Sequence, residues 1–139
     1  MIAEAFVDTN VLIYAAAGHR DAPEKHARAW EIIGPARYGI SAQVLAEFYV
    51  NAIRKPAVPL STGEASAWIA ELQSLPVVPI DGDLVTEAVA CSLRYQISYW
   101  DAAVVTAAAR LGVPILYTED LNDGQQYGSV TVVNPFKEH

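Results

Sequence analysis

Short apolar runs of strand length alternate along this chain with longer segments in which apolar residues return at helical spacing. Ala5-Phe6-Val7 ends at Asp8 and hands over to the apolar stretch Val11–Ala17, closed by Gly18. Residues 21–33, opening Asp21-Ala22-Pro23-Glu24, read as a second helix with Ala27, Trp30 and Ile33 on its inner face. Tyr38-Gly39-Ile40 is a brief strand ending at Ser41, and the repeat Val44, Leu45, Phe48, Ala52 predicts a helix over about 42–54. Arg54 to Pro59 is a loop, and Ser61-Thr62-Gly63-Glu64 has the spacing of a capping box that opens a helix through Leu72. Val77–Ile80 is the next strand. Asp81 caps a helix carrying Leu84, Ala88, Cys91 and Tyr95, and Ser98 opens another over Tyr99–Leu111, stopped by Gly112. Val113–Thr118 and Val130–Val133 are the last strands.

Strands joined through helices of about ten residues or more require right-handed crossovers and a mostly parallel sheet covered on both faces. The expected fold class is α/β, a three-layer α/β/α sandwich. With 139 residues, 53% of them apolar, one core can form without subdividing the chain, and no repeat or linker interrupts it. A single domain over residues 1–139 is expected.

The formal charge of −7 argues against a broad basic surface that grips nucleic acid. It has a second reading, because carboxylates gathered on a divalent ion invert the local field and let a polyanion approach. Solubility alone accounts for the charge equally well. The apolar N-terminus, Met1–Ala17, is broken by Glu4 and Asp8, lacks a leading cation and falls far short of the ~20 residues of a spanning helix. Neither a signal peptide nor an anchor is expected there. The lone Cys91, beside Val89, Ala90 and Leu93, reads as a reduced thiol packed in a core. No membrane association and a cytoplasmic location are expected.

In parallel sheets ligands bind beyond the carboxyl ends of the strands. Asp8 and Asp120 stand directly after strands, Glu47 lies in the first two turns after one, and Asp101 lies in the first turn of its helix. All four acids therefore fall on one edge of the sheet. Each has a plainer role open to it: Asp8 as a helix cap, Asp101 as the acid of a capping box with Ser98, Asp120 as the start of the turn Asp120–Gly124, and Glu47 as a solvated flank. Those roles, taken one at a time, leave the coincidence of four acids unexplained. Hard divalent cations take oxygen ligands, and Mg²⁺ uses one or two carboxylates with water and phosphate oxygens. Such a site hydrolyses phosphodiesters without a nucleophilic side chain.

Other chemistries lack their parts. No Gly-x-x-x-x-Gly-Lys-Ser/Thr loop, G-x-G-x-x-G turn or G-x-S-x-G elbow occurs, and His19, His26 and His139 have no partners at zinc spacing. His139 is terminal and expected to be disordered. A phosphatase that phosphorylates a strand-end aspartate has a candidate in Asp8, but Asn10 stands where its acid is expected and no lysine lies at a strand end.

With the acids placed, Phe6-Val7-Asp8-Thr9-Asn10-Val11-Leu12-Ile13-Tyr14 resembles the opening motif of PIN-domain nucleases of the VapC toxin type. Ser41-Ala42-Gln43-Val44-Leu45-Ala46-Glu47-Phe48 resembles the second motif, Ser98-Tyr99-Trp100-Asp101-Ala102-Ala103 the third, and Tyr117-Thr118-Glu119-Asp120-Leu121-Asn122-Asp123-Gly124-Gln125 the fourth. The match runs in order over essentially the whole chain. It implies a PIN-like sandwich and a Mg²⁺- or Mn²⁺-dependent endoribonuclease, the toxin of a toxin–antitoxin pair, blocked by a cognate antitoxin and paired as a homodimer. The resemblance makes Asp8, Glu47, Asp101 and Asp120 the catalytic and metal-binding set, with Glu119 an alternative to Asp120, and makes Thr9, Asn10, Thr118 and Glu119 groups that orient a carboxylate or water. A degenerate fold that only binds RNA or protein is the rival reading. Arg20, Lys25, Arg28, Arg54 and Lys55 are the candidate phosphate contacts.

Overall fold

The strand Ala5–Val7 (β1) is apolar at every position because it is buried on both faces, as a central strand of a parallel sheet must be. A computed structural model describes residues 3–137, so His139 lies outside the described residues. The elements that follow are α1 (Thr9–Ala17), α2 (Pro23–Ile33), β2 (Tyr38–Ser41), α3 (Ala42–Ala52), α4 (Thr62–Leu72), β3 (Val77–Val78), α5 (Gly82–Tyr95), α6 (Tyr99–Leu111), β4 (Ile115–Tyr117), β5 (Gln126–Tyr127) and β6 (Val130–Val133). The sheet order is β3-β2-β1-β4-β6-β5, parallel throughout except where β5 pairs antiparallel with β6. Helices α2, α1, α3 and α4 pack in succession, and α5 pairs with α6, which lies across the strands. This is the three-layer α/β/α sandwich.

The helix starts follow the polar residues that precede them. Asp8, Ser41, Ser61, Asp81 and Ser98 each accept a backbone N–H at the first turn of a helix, and Ser61 with Glu64 completes a reciprocal capping box. The core between the layers is built from Phe6, Leu12, Ile40, Phe48, Leu116 and Val132, all fully buried. None of the described helices is long and apolar enough to cross a membrane.

Several local expectations change, the strand expected over Val113–Thr118 being confined to Ile115–Tyr117, and one strand is added. β3 stops at Val78 instead of Ile80, because Pro79 has no N–H for the ladder and Ile80 is left half exposed at the sheet edge. On α2 the buried positions are Ala29 and Ile33, while Ala27 faces solvent and Trp30 lies half exposed, donating its indole N–H to the Ala15 carbonyl at 2.8 Å. Cys91 is only partly buried, on an α5 whose Val85, Val89 and Leu93 are exposed. Finally, β5 joins the sheet through the two-residue loop Gly128-Ser129, with Gly128 at φ +62° as tight hairpin loops require.

Gly39 shows how closely α6 lies on β2. A Cβ there would strike the end of the Leu111 side chain and stand 3.1 Å from the Pro76 carbonyl oxygen. Gly39→Ala is therefore expected to destabilise the fold by about 1–3 kcal/mol through overpacking. Combining it with Leu111→Ala is expected to give a smaller loss than the sum of the two single changes. Denaturant melts of the three variants and wild type test this, and strict additivity would refute the close approach.

Candidate active site

β1 has β2 on one side and β4 on the other, so the chain leaves the carboxyl ends of β1 and β4 into a crevice. Asp8 is the first residue beyond β1. Its backbone N–H continues the ladder to the Tyr117 carbonyl at 3.0 Å, and its side chain is turned inward, 6% exposed. Oδ1 accepts the Thr9 N–H at 2.8 Å, which caps α1, and Oδ2 accepts the Thr118 hydroxyl at 2.8 Å. The capping role and the cleft role thus fall on the same carboxylate.

Thr118, fully buried at the end of β4, also accepts the Asp120 N–H at 3.1 Å. One hydroxyl thereby ties the loop after β1 to the loop after β4. Asp120 stands at the cleft mouth with Oδ2 accepting from Asn10 Nδ2 at 3.0 Å. Glu47, one and a half turns into α3, accepts Gln43 Nε2 at 2.7 Å on one oxygen and the Thr9 hydroxyl at 3.3 Å on the other. Asp101 sits in the first turn of α6, where its backbone N–H donates to Ser98 Oγ. Its charge is felt at Asp120.

The electrostatics show that the four acids share one field. Burial pushes the Asp8 carboxyl up to about 6, against the pull of the Thr118 and Thr9 hydrogen bonds, and the charges of Asp120 and Glu47 push the same way. The Asp120 carboxyl is raised by burial first and then by the charges of Asp101 and Glu119, opposed by the Asn10 amide, with Glu47 adding to the rise. Sequence spacing put these acids on one edge; the structure brings them into mutual range.

Glu119 and Asp120, adjacent in sequence, go separate ways. Glu119 Oε1 accepts the Tyr14 hydroxyl at 2.6 Å, and Oε2 accepts Lys25 Nζ at 2.9 Å. Lys25 also donates to the Tyr14 oxygen and lies over the rings of Tyr14 and Phe136. Asp120 is thus tied to Asp8 through Thr118, Lys25 is committed to Glu119, and both acids line the groove. Gln43 escaped the sequence reading, although its place four residues before Glu47 on α3 was a usable signal. The Tyr14–Lys25–Glu119 cluster, assembled from three distant segments, left none.

Among the described residues no three His, Cys, Asp or Glu side chains are drawn close enough to enclose an ion. The carboxylates instead rest on Thr9, Thr118, Gln43 and Asn10, whose donors hold like charges apart. The donor chemistry still fits a hard divalent cation: every candidate ligand is an oxygen, and the buried Oδ1 of Asn10 has no hydrogen-bond partner. Mg²⁺ needs only one or two carboxylates directly, the rest of its shell being water and phosphate.

Residues 5–123 match the PIN domain family. The chain belongs to that family. Its fold is shared with solved toxin structures of low identity. A toxin–antitoxin complex from Klebsiella pneumoniae aligns at TM-score 0.68 and 21% identity, over 94% of this chain and 97% of that one. A VapC toxin of Mycobacterium tuberculosis, named as cleaving the sarcin–ricin loop, aligns at 0.63 and 18%, over 84% and 89%. A VapBC complex of Rickettsia felis bound to promoter DNA aligns at 0.62 and 15%, over 95% and 97%. No curated protein matches the sequence.

The raised Asp8 pKa fixes the sign of a stability effect. A carboxyl whose folded pKa lies above its unfolded value of 3.8 penalises folding not at all at low pH, increasingly between about 4 and 6, and fully above that. A shift from 3.8 to about 6 corresponds to on the order of 3 kcal/mol. Asp8→Asn keeps the cap and the shape while removing the charge. In chelator at pH 7 the variant is expected to melt above wild type, with the gap closing as pH falls below 4. Added Mg²⁺ or Mn²⁺ should narrow the gap at neutral pH by stabilising wild type more. Identical pH profiles for the two proteins would contradict the buried charge.

Proposed function

We propose that this PIN domain is a Mg²⁺- or Mn²⁺-dependent endoribonuclease of the VapC type, the toxin half of a toxin–antitoxin pair acting in the cytoplasm. The observation that carries the reading is the linkage of Asp8 and Asp120 through the buried Thr118 hydroxyl, with Glu47 and Asp101 in the same field. A fold that only binds RNA or protein gives no physical reason to hold unneutralised carboxylates together at the expense of stability.

A bound divalent cation would supply an activated water and a charge that stabilises the phosphoryl oxygens. Asp8 and Asp120 would hold it from the ends of β1 and β4, Glu47 from the second turn of α3 and Asp101 from the first turn of α6. Thr118 fixes the Asp8 carboxylate and the Asp120 backbone together. Gln43 and Thr9 fix the Glu47 carboxylate, leaving it little freedom to turn away. Asn10 holds one oxygen of Asp120 and offers its own buried Oδ1 on the same side.

Several of the solved structures that share the fold are toxins held with their antitoxins. By analogy a cognate antitoxin would cover this cleft. A homodimer is also proposed, and the exposed stripe Val85, Val89 and Leu93, one turn apart on α5, supports it.

RNA incubated with the purified chain is expected to be cleaved in Mg²⁺ or Mn²⁺ and spared in chelator. Asp8→Asn and Asp101→Asn should each lower the rate by roughly a hundredfold or more, since each removes several kcal/mol of charge stabilisation without removing core volume. Thr118→Val, which touches no metal, should lower it by about 10- to 100-fold. Metal-dependent cleavage that survives either acid substitution would refute the assignment, and binding of RNA without any cleavage would favour the degenerate module.

A further inference from the structure

From the acids a groove of about 410 Å³ runs between α1 and the α3 side of the molecule. Ile13 and Ala17, one turn apart on α1, give it an apolar floor, and Glu47, Asn51 and Lys55, four residues apart, line its other wall. Glu47 and Asn51 are one turn apart on α3, and Lys55 follows in the turn just beyond the end of that helix at Ala52. The far end is closed by Asp21, whose Oδ2 accepts the Ala57 N–H at 2.8 Å and so ties the loop after α3 to the loop after α1.

The five basic residues that could meet a phosphate separate clearly in this frame. Lys25 is paired with Glu119, and Arg28 donates to Glu31 and to the Pro135 carbonyl. Arg20 and Arg54 are exposed and lie outside the groove. Lys55 lines the groove and, among the described residues, has no ion pair. Its backbone is fixed from both sides: its N–H donates to the Asn51 carbonyl at 2.9 Å, and the buried Pro56 follows. The Asn51 side-chain amide beside it has no hydrogen bond within the described residues and keeps two donors free.

The groove therefore has a carboxylate end suited to a metal and, beyond the end of α3, a donor-bearing end where the Lys55 ammonium and the Asn51 amide stand with Asp21, whose carboxylate accepts the Ala57 N–H. The geometry points to a phosphate subsite at Lys55 and Asn51, which holds a flanking phosphate of the same single RNA strand whose scissile phosphate lies at the acids. This rests on the nuclease reading above. The uncommitted ammonium offsets the repulsion that a net charge of −7 imposes on a polyanion, and it does so at one point along the strand path. An apolar floor between the two ends suits the base or ribose of the intervening strand.

The test uses a short random-sequence single-stranded RNA carrying fluorescein. In the active chain, Lys55→Gln is expected to raise KM about fivefold, the range of an exposed charge pair, with the loss falling on KM and not on kcat. Lys55→Arg is expected to restore KM. Binding is read separately by anisotropy in the Asp101→Asn background with Mg²⁺. There Lys55→Gln should weaken binding and flatten the dependence of log affinity on log salt by about 0.7, the contribution of one phosphate on a single strand. An unchanged KM in the active chain, or unchanged binding and salt slope in the Asp101→Asn background, would overturn the subsite. So would loss of an inhibitory protein partner with RNA binding intact, since the groove would then belong to that partner. Failure of wild type to cleave any RNA would count against the nuclease reading alone, and the binding arm would still decide Lys55.

Discussion

The buried hydroxyl of Thr118 is the joint on which the arrangement turns. β1 and β4 are neighbours in the sheet, and each ends in an acidic loop that would otherwise be free to choose its own course. By donating to Asp8 and accepting from the Asp120 N–H, Thr118 makes the position of one acid depend on that of the other. The hydroxyl is well suited to this, being both donor and acceptor at a single atom. A burial of Asp8 this deep is tolerable because both oxygens are hydrogen-bonded, yet the bonds do not outweigh desolvation, and the carboxyl stays above its ordinary pKa. The cleft thus holds a carboxylate whose ionised form is disfavoured by burial and by its acidic neighbours, a penalty that a bound cation would relieve.

How much of this the sequence disclosed depended on whether the information was local. Strand-then-acid at Phe6-Val7-Asp8 and Tyr117-Thr118-Glu119-Asp120, and cap-then-helix at Ser41 and Ser98, are patterns within a few residues, and the order of elements fixed the edge on which they meet. The truncation of β3 was legible too, since Pro79 is in plain view, as was the hairpin loop Gly128-Ser129 between Tyr127 and Val130. The choice between Glu119 and Asp120 was not. What distinguishes them is Tyr14 on α1 and Lys25 on α2, which hold Glu119, and their approach to the β4 loop is a product of helix packing with no trace in the motif itself. The inner face of α2 was misjudged for a related reason: Trp30 was read by its hydrophobicity, whereas its indole N–H has a carbonyl partner on α1 and its ring partly covers that contact from outside.

The Lys25–Glu119 pair illustrates what a partly exposed ion pair does in such a site. Its side chains are 40% and 22% exposed, so its contribution to stability is about 0–1 kcal/mol at most. Stability is therefore not a sufficient reason for the pair. Its effect on direction is larger. An unpartnered Glu119 would put a further negative charge beside Asp120, whose carboxyl Glu119 already raises. Lys25 neutralises that charge at its source, and the Tyr14 hydroxyl, short at 2.6 Å, fixes the carboxylate toward α1 and α2. Two adjacent acids that line the same groove are thereby given different surroundings: Glu119 is held by Tyr14 and Lys25, and Asp120 by Asn10 and the Thr118 hydroxyl. The same distinction separates Lys25 from Lys55. The first is consumed in shaping the acidic end, and the second lines the groove with no ion pair among the described residues.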